Sequence, residues 1–170
     1  MRILQGKWAG RQLVSPSGRV RPTGEEVRAL WIRELEPELD GARLLELYAG
    51  TGALGLEALS RGARRCDFVE NSPSALHALK SNVTALRTRG KTRIFKHDAL
   101  VFIEGIQPDT YDIVLADPPY RSRQLDRLVE RWLARPFSRI LSVEHAFDHP
   151  LPRASRTLAG GEATLSFYGF

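Results

Sequence analysis

The chain has a single cysteine, Cys66, among 170 residues. One thiol excludes an intramolecular disulfide and any cysteine-based metal cluster. Set in an apolar, strand-like run, Cys66 reads as a small core residue. Histidines are scarce too, four in all. Glu144, His145 and His149 lie close in sequence, but no third spaced ligand stands near them, so no metal is expected. No stretch approaches the roughly 20 apolar residues of a membrane helix, which argues against a membrane partner. Residues 1–7 carry an early arginine but no apolar signal-peptide core, so the expected location is cytoplasmic. Internal repeats and low-complexity tracts are absent.

What remains is ordinary globular composition, 42% hydrophobic and 26% charged, at a length that fits one domain. The charge is uneven. Residues 1–33 hold seven basic side chains (Arg2, Lys7, Arg11, Arg19, Arg21, Arg28, Arg33) against two acids, Glu25 and Glu26. The rest of the chain is balanced, 18 of each sign, so the net +5 sits at one end. Such an end is either a docking surface for a polyanion or a merely basic, solvated segment.

Along the chain, two short apolar patches, Ile3-Leu4 and Leu13-Val14, flank a Gly-Lys-Trp-Ala-Gly-Arg stretch and read as a β-hairpin-like arm. A turn follows at Ser15-Pro16-Ser17-Gly18. Thr23 and Glu26 form a capping box for a helix carrying Val27, Leu30, Trp31 and Leu35 at helical spacing to about Glu36. From Gly41 strands and helices alternate. Strands are expected near 43–48, 66–70, 92–96, 111–116 and 139–144, and helices near 53–61, 73–87, 99–104 and 124–133. Leu76, Leu79, Val83 and Leu86 give the second of these helices its apolar stripe. Alternation of this kind builds a parallel sheet covered on both faces. The run from Glu162 to Tyr168 follows 155–159 after only Gly160-Gly161. So short a link permits antiparallel pairing and excludes a parallel crossover.

Two motifs carry chemistry. Glu46-Leu47-Tyr48-Ala49-Gly50-Thr51-Gly52-Ala53-Leu54-Gly55 follows a strand and opens a helix. Gly50 and Gly52 let backbone approach a ligand, and Gly55 allows close helix–strand packing. Glu70, twenty residues past Gly50, can accept both hydroxyls of a ribose. The pattern binds a nucleoside but is shared with dinucleotide dehydrogenases. Glu46 tilts the choice: an acid there sits awkwardly beside a pyrophosphate and well beside the ammonium and sulfonium of S-adenosylmethionine. Asp98, after the third strand, serves either as acceptor for an adenine amine or as a helix N-cap.

The second motif is Asp117-Pro118-Pro119-Tyr120, after the fourth strand. Two prolines stiffen the loop and remove backbone donors, leaving the Asp117 carboxylate and the Pro118 carbonyl as acceptors. An exocyclic base amine is a poor nucleophile because its lone pair is delocalised. Two acceptors on its N–H bonds hold the nitrogen toward tetrahedral geometry, and Tyr120 offers a face for the base. Arg121 and Arg123, just beyond, can meet phosphates. Trp8, in the basic arm, reads as core or RNA-stacking, Trp31 as core, and His97 as a loop histidine.

With these residues the chain resembles the RsmD family, bacterial guanine-N2 methyltransferases of 16S ribosomal RNA. The likeness runs through Arg2 to Arg11, Arg21-Pro22-Thr23, Val27-Arg28, Ala49 to Ala63, Phe68-Val69-Glu70, Asp98-Ala99 and Asp117 to Tyr120. It implies an α/β class I methyltransferase Rossmann-like fold: a seven-stranded, mostly parallel sheet with one antiparallel strand, plus the N-terminal arm and helix. The implied organisation is one domain, with a basic arm at 1–22, a helix at 23–40 and a catalytic core at 41–170. S-adenosylmethionine is the implied donor, held by Glu46, Tyr48, Gly50, Gly52, Glu70, Asp98 and Ala99. Asp117, Pro118 and Tyr120 would act on the target amine. Lys7, Arg11, Arg21 and Arg121 would contact the RNA, presented on an assembling small subunit. Family members usually have Asp at position 46, Phe at 48, and Thr-Asp-Arg where this chain has Gly24-Glu25-Glu26. Asp-Pro-Pro-Tyr serves an adenine N6 of DNA or RNA, or a protein glutamine N5, as well as it serves guanine. A nicotinamide-dependent oxidoreductase is a further reading of the glycine loop.

Overall fold

The computed structural model describes residues 1–15, 24–120, 122–161 and 163–170. Seven strands form one sheet: β1 (Arg43–Leu47), β2 (Arg65–Glu70), β3 (Thr92–Lys96), β4 (Tyr111–Ala116), β5 (Ser138–Ala146), β6 (Arg156–Gly160) and β7 (Ala163–Tyr168). Five helices join them: α1 (Glu25–Leu35), α2 (Ala53–Ser60), α3 (Pro73–Ala85), α4 (Ala99–Glu104) and α5 (Gln124–Ala134). Each lies within a few residues of its sequence expectation. The first helix ends at Leu35, next to the Glu36 expected, and a 3-10 turn containing Pro37 follows. The Thr23 cap, the 16–18 part of the turn, and Arg19, Arg21 and Arg121 lie outside the described residues.

The strand order is β3-β2-β1-β4-β5-β7-β6. The pairs β1–β2, β2–β3, β1–β4 and β4–β5 are parallel. β7 runs antiparallel to both β5 and β6, the second pairing being the one the Gly160-Gly161 link demands. Alternate residues of the central strands enter opposite cores. Leu44, Ile113 and Leu115 pack with α1, α2 and α3 through Trp31, Leu56, Leu59, Leu79 and Val83. Leu45, Leu47, Val114 and Ala116 pack with α4 and α5 through Ile103, Leu125, Leu128 and Trp132. Cys66 and Trp31 are core, as expected. Among the described residues no helix is long and apolar enough to cross a membrane.

The arm is hairpin-like. Ile3 N–H donates to Arg11 O (2.9 Å), Gly10 N–H to Ile3 O (2.8 Å) and Leu13 N–H to Met1 O (3.0 Å). It is fastened by a buried carboxylate the sequence reading had not singled out. Glu57 of α2 accepts Leu4 N–H (2.7 Å) and Gln5 N–H (2.9 Å), and Arg61 pairs with it at 2.9 Å. Asn82 of α3 grips the arm's far end, accepting Val14 N–H (2.7 Å) and donating to both Val14 O and Thr51 O (3.0 Å each). Arg28, counted above with the basic end, is fully buried and donates to Arg2 O (2.6 Å), so it is not available to a polyanion.

The helix–strand packing that Gly55 permits is tight. A Cβ there would lie 2.5 Å from Cys66 Sγ, 2.7 Å from Glu46 Oε2 and 2.7 Å from Phe68 Cε1. Gly55→Ala is therefore expected to lose about 1–3 kcal/mol in denaturant unfolding. A variant as stable as the parent would contradict this packing.

Candidate active site

β1 and β4 are neighbours at the middle of the sheet, with Leu47 paired to Ala116. Strand order reverses here, the position where open α/β sheets bind ligands outside their carboxyl ends. Neighbouring strands lie about 4.8 Å apart. The chain after Leu47 is the glycine turn, and the chain after Ala116 is Asp117-Pro118-Pro119-Tyr120. The two motifs thus leave the sheet side by side.

In the glycine turn, Tyr48, Gly50 and Gly52 all have positive φ (56°, 55° and 75°). A Cβ on Gly50 would face open space, with only Tyr48 O at 4.0 Å. Gly52 differs: a Cβ there would strike Leu79 Cδ1 at 2.4 Å, so this glycine serves packing on α3. Glu70, ending β2, accepts Gly50 N–H (2.7 Å), Asn71 N–H (2.8 Å) and Ser72 N–H (2.8 Å). Three amides fix its carboxylate, and a carboxylate has about four lone-pair sites, so acceptor capacity remains.

Glu46 is turned inward and accepts Gly55 N–H at 2.8 Å. Burial is the first cause that raises its pKa, to about 8, and repulsion from Asp117 and Glu70 adds to it. Three carboxyl groups therefore converge at the end of β1, an environment that favours a cation. Tyr48 contributes a buried hydroxyl with no hydrogen-bond partner, and its pKa is raised by burial and then by Asp98. Asp98 caps α4 by accepting Val101 N–H (3.0 Å), with Ala99 buried behind it.

In the tetrapeptide Pro118 is buried, whereas Pro119 and Tyr120 are exposed. Tyr120 donates its hydroxyl to Glu144 Oε1 at the end of β5 (2.7 Å), a second partner the sequence reading missed. Nothing in local periodicity marks Glu144; only the parallel pairing of β4 with β5 brings it there. His145 lies between Ala146 O and Ser166 Oγ (2.9 Å each), and His149 lies on Asp126 (2.9 Å). On the arm, Lys7 Nζ sits 5.6 Å over the Trp8 ring, and Arg11 is exposed. The arm borders the glycine turn through Met1 Sδ, 3.7 Å from Thr51 Oγ1. A groove of about 420 Å³ lies elsewhere, between arm and α1, lined by Gln5, Glu25, Arg33 and Arg61 among others, and includes none of the motif residues.

Sheet order, glycine turn and strand-end carboxylates together define a class I methyltransferase fold. The solved Escherichia coli protein yhhF superposes with a TM-score of 0.84 at 29% identity, covering 99% of this chain and 96% of that one. An RNA methyltransferase of Salinibacter ruber, solved with S-adenosyl-L-homocysteine, shares the fold at a TM-score of 0.65 and 14% identity, covering 87% and 92%. The family model described as Conserved hypothetical protein 95 matches residues 1–160. The Ribosomal RNA small subunit methyltransferase D of Escherichia coli K12 is 35% identical over 158 residues, 89% of this chain and 78% of that protein. The chain belongs to this family, the RsmD family.

Unfolded, Glu46 ionises near 4.5; folded, it holds its proton to about 8. Within that window the folded state binds the extra proton, so this contribution is complete below the lower value and is lost as pH rises to the upper one. Without ligand, Glu46→Gln is expected to gain stability relative to the parent by more than about 1 kcal/mol between pH ~5 and pH ~8. Chemical unfolding at the two pH values measures it, and a pH-independent difference would contradict the buried, protonated carboxyl.

Proposed function

We propose that this chain is an S-adenosylmethionine-dependent methyltransferase acting on ribosomal RNA, and that its target is the exocyclic N2 of a guanine in 16S rRNA presented on an assembling small subunit. The observation that carries the reading is the pairing of Leu47 with Ala116, which sets the glycine turn beside Asp117-Pro118-Pro119-Tyr120. The relative from Escherichia coli is named for ribosomal RNA of the small subunit, and the Salinibacter ruber structure holds the demethylated product of the donor.

The residues fit the donor on three counts: open space before Gly50, an orphaned Tyr48 hydroxyl, and carboxyl groups from Glu46, Glu70 and Asp117 around one strand end. When bound, S-adenosylmethionine supplies an electrophilic methyl group on a sulfonium. Glu70 would hold the ribose with the acceptor capacity left by its three amides. Asp98 and Ala99 would flank the adenine, with Tyr48 near Asp98. Glu46, with acceptor capacity left beside its one bond from Gly55 N–H, would face the cationic end of the donor, whose charge favours release of the carboxyl proton. Gly52, whose missing Cβ leaves room for Leu79, would present its backbone to the ligand from the same turn.

On the substrate side, Asp117 and the Pro118 carbonyl would each accept one N–H of the guanine amine. The nitrogen lone pair is then drawn out of the ring plane toward the donor's methyl group, and the Asp117 carboxylate would accept the N–H proton that the amine gives up on methylation. Tyr120, fixed by Glu144, would give the base its stacking face. Positioning and preorganised acceptors would supply the rate, with no covalent enzyme intermediate. Lys7 and Arg11 would meet phosphates, with Arg21 and Arg121 proposed for the same work from the sequence alone.

Asp117→Ala is expected to lower kcat at least ~100-fold while S-adenosylhomocysteine affinity stays within a few-fold, by titration calorimetry. Parent turnover in that variant would refute the assignment. Nucleoside mass analysis of the methylated RNA should give N2-methylguanosine; N6-methyladenosine would move the target to adenine.

A further inference from the structure

β5 ends at Ala146, and the next residue, Phe147, has 78% of its surface exposed, more than any other exposed large apolar side chain among the described residues. A ring left in water contributes little to the fold. Yet the turn that carries it is held firmly. His149 N–H donates to Ala146 O (3.0 Å), closing a four-residue turn with Phe147 and Asp148 at its tip. His149 Nε2 lies 2.9 Å from Asp126 Oδ1 of α5, and His145 Nε2 lies 2.9 Å from Ser166 Oγ of β7. An aromatic ring on a pinned turn loses little conformational freedom on contact with a partner.

The turn borders the tetrapeptide. β4 and β5 are parallel with Ala116 opposite Val143, so both chains leave the sheet at the same edge. Pro118, Pro119 and Tyr120 share one small cleft with Glu144, Ala146 and His149. Tyr120 is itself 43% exposed, so two accessible aromatic rings stand on adjoining loops. Arg123 is exposed and precedes Asp126 by three residues, which places a cation on the side of α5 that pins the turn.

We infer that Phe147 is a second stacking platform, which receives an unpaired base next to the target nucleotide while Tyr120 takes the target base, with Arg123 near the connecting phosphate. A single-stranded segment is required, because bases inside a duplex do not offer a free face to a side chain. This inference rests on the RNA substrate proposed above.

The test uses 16S rRNA, both purified and in partly assembled small subunits, with the full chain, Phe147→Ala and Phe147→Trp. Because the ring is exposed, Phe147→Ala should keep the parent's thermal midpoint and S-adenosylhomocysteine affinity while KM for RNA rises roughly 5- to 50-fold. Phe147→Trp should keep KM within about 3-fold of the parent. Its emission should be quenched by RNA beyond any change seen in the parent. An unchanged KM in Phe147→Ala, or no added quenching in Phe147→Trp, overturns the inference, including the case in which a protein surface covers this ring. Should the parent transfer no methyl to RNA, the proposed function fails, and quenching at position 147 still decides whether this ring meets RNA.

Discussion

One pairing governs the rest: β1 beside β4, with Leu47 opposite Ala116. Each strand carries a motif at its carboxyl end, and neither motif alone supports group transfer. A glycine turn by itself holds a nucleoside; a proline-stiffened acceptor pair by itself holds an amine. Under the proposed function, their adjacency would let one methyl group pass between them. The same edge gathers Glu46, Glu70 and Asp117; burial first, and then repulsion from the other two carboxylates, raises the pKa of Glu46. Without a ligand that gathering is costly, and a cation at the strand end relieves it. The chemistry of the site is therefore written into the sheet order.

The arm is coupled to the same edge through buried polar contacts. Glu57 and Ser60 of α2 hold residues 4–8, and Asn82 bonds at once to Val14 and to Thr51 of the glycine turn. A segment of this length has too little apolar surface to hold itself in place. It borrows two core positions, Ile3 and Leu13, and fixes its register through hydrogen bonds to side chains of the helices. The outcome is a docked arm whose exposed cations, Lys7 and Arg11, have a fixed relation to the site.

Much of this was legible in the sequence, for reasons that are local. Short apolar runs located β1, β2, β4 and β5, the stripe Leu76-Leu79-Val83 located α3, and the two-glycine link dictated the antiparallel pairing of β6 with β7. The chemistry of Asp117-Pro118-Pro119-Tyr120 could be argued residue by residue, and the family resemblance added the roles. The missing part was made of polar groups paired across long stretches of chain. Glu57 with Leu4, Asn82 with Val14 and Glu144 with Tyr120 have no local pattern to announce them. Arg28 read as surface charge and is buried, because the arm lies against its helix and Arg2 O takes a hydrogen bond from its guanidinium. Gly52 looks like Gly50 in sequence, and only the structure shows that its missing Cβ also makes room for Leu79.

The most direct measurement of the central claim is a crystal structure of the protein with S-adenosylhomocysteine. The account predicts that the ribose hydroxyls lie on Glu70 and that the sulfur faces Asp117 and Pro118 across the gap between β1 and β4. A ligand bound elsewhere, or one whose sulfur points away from residues 117–120, would contradict it.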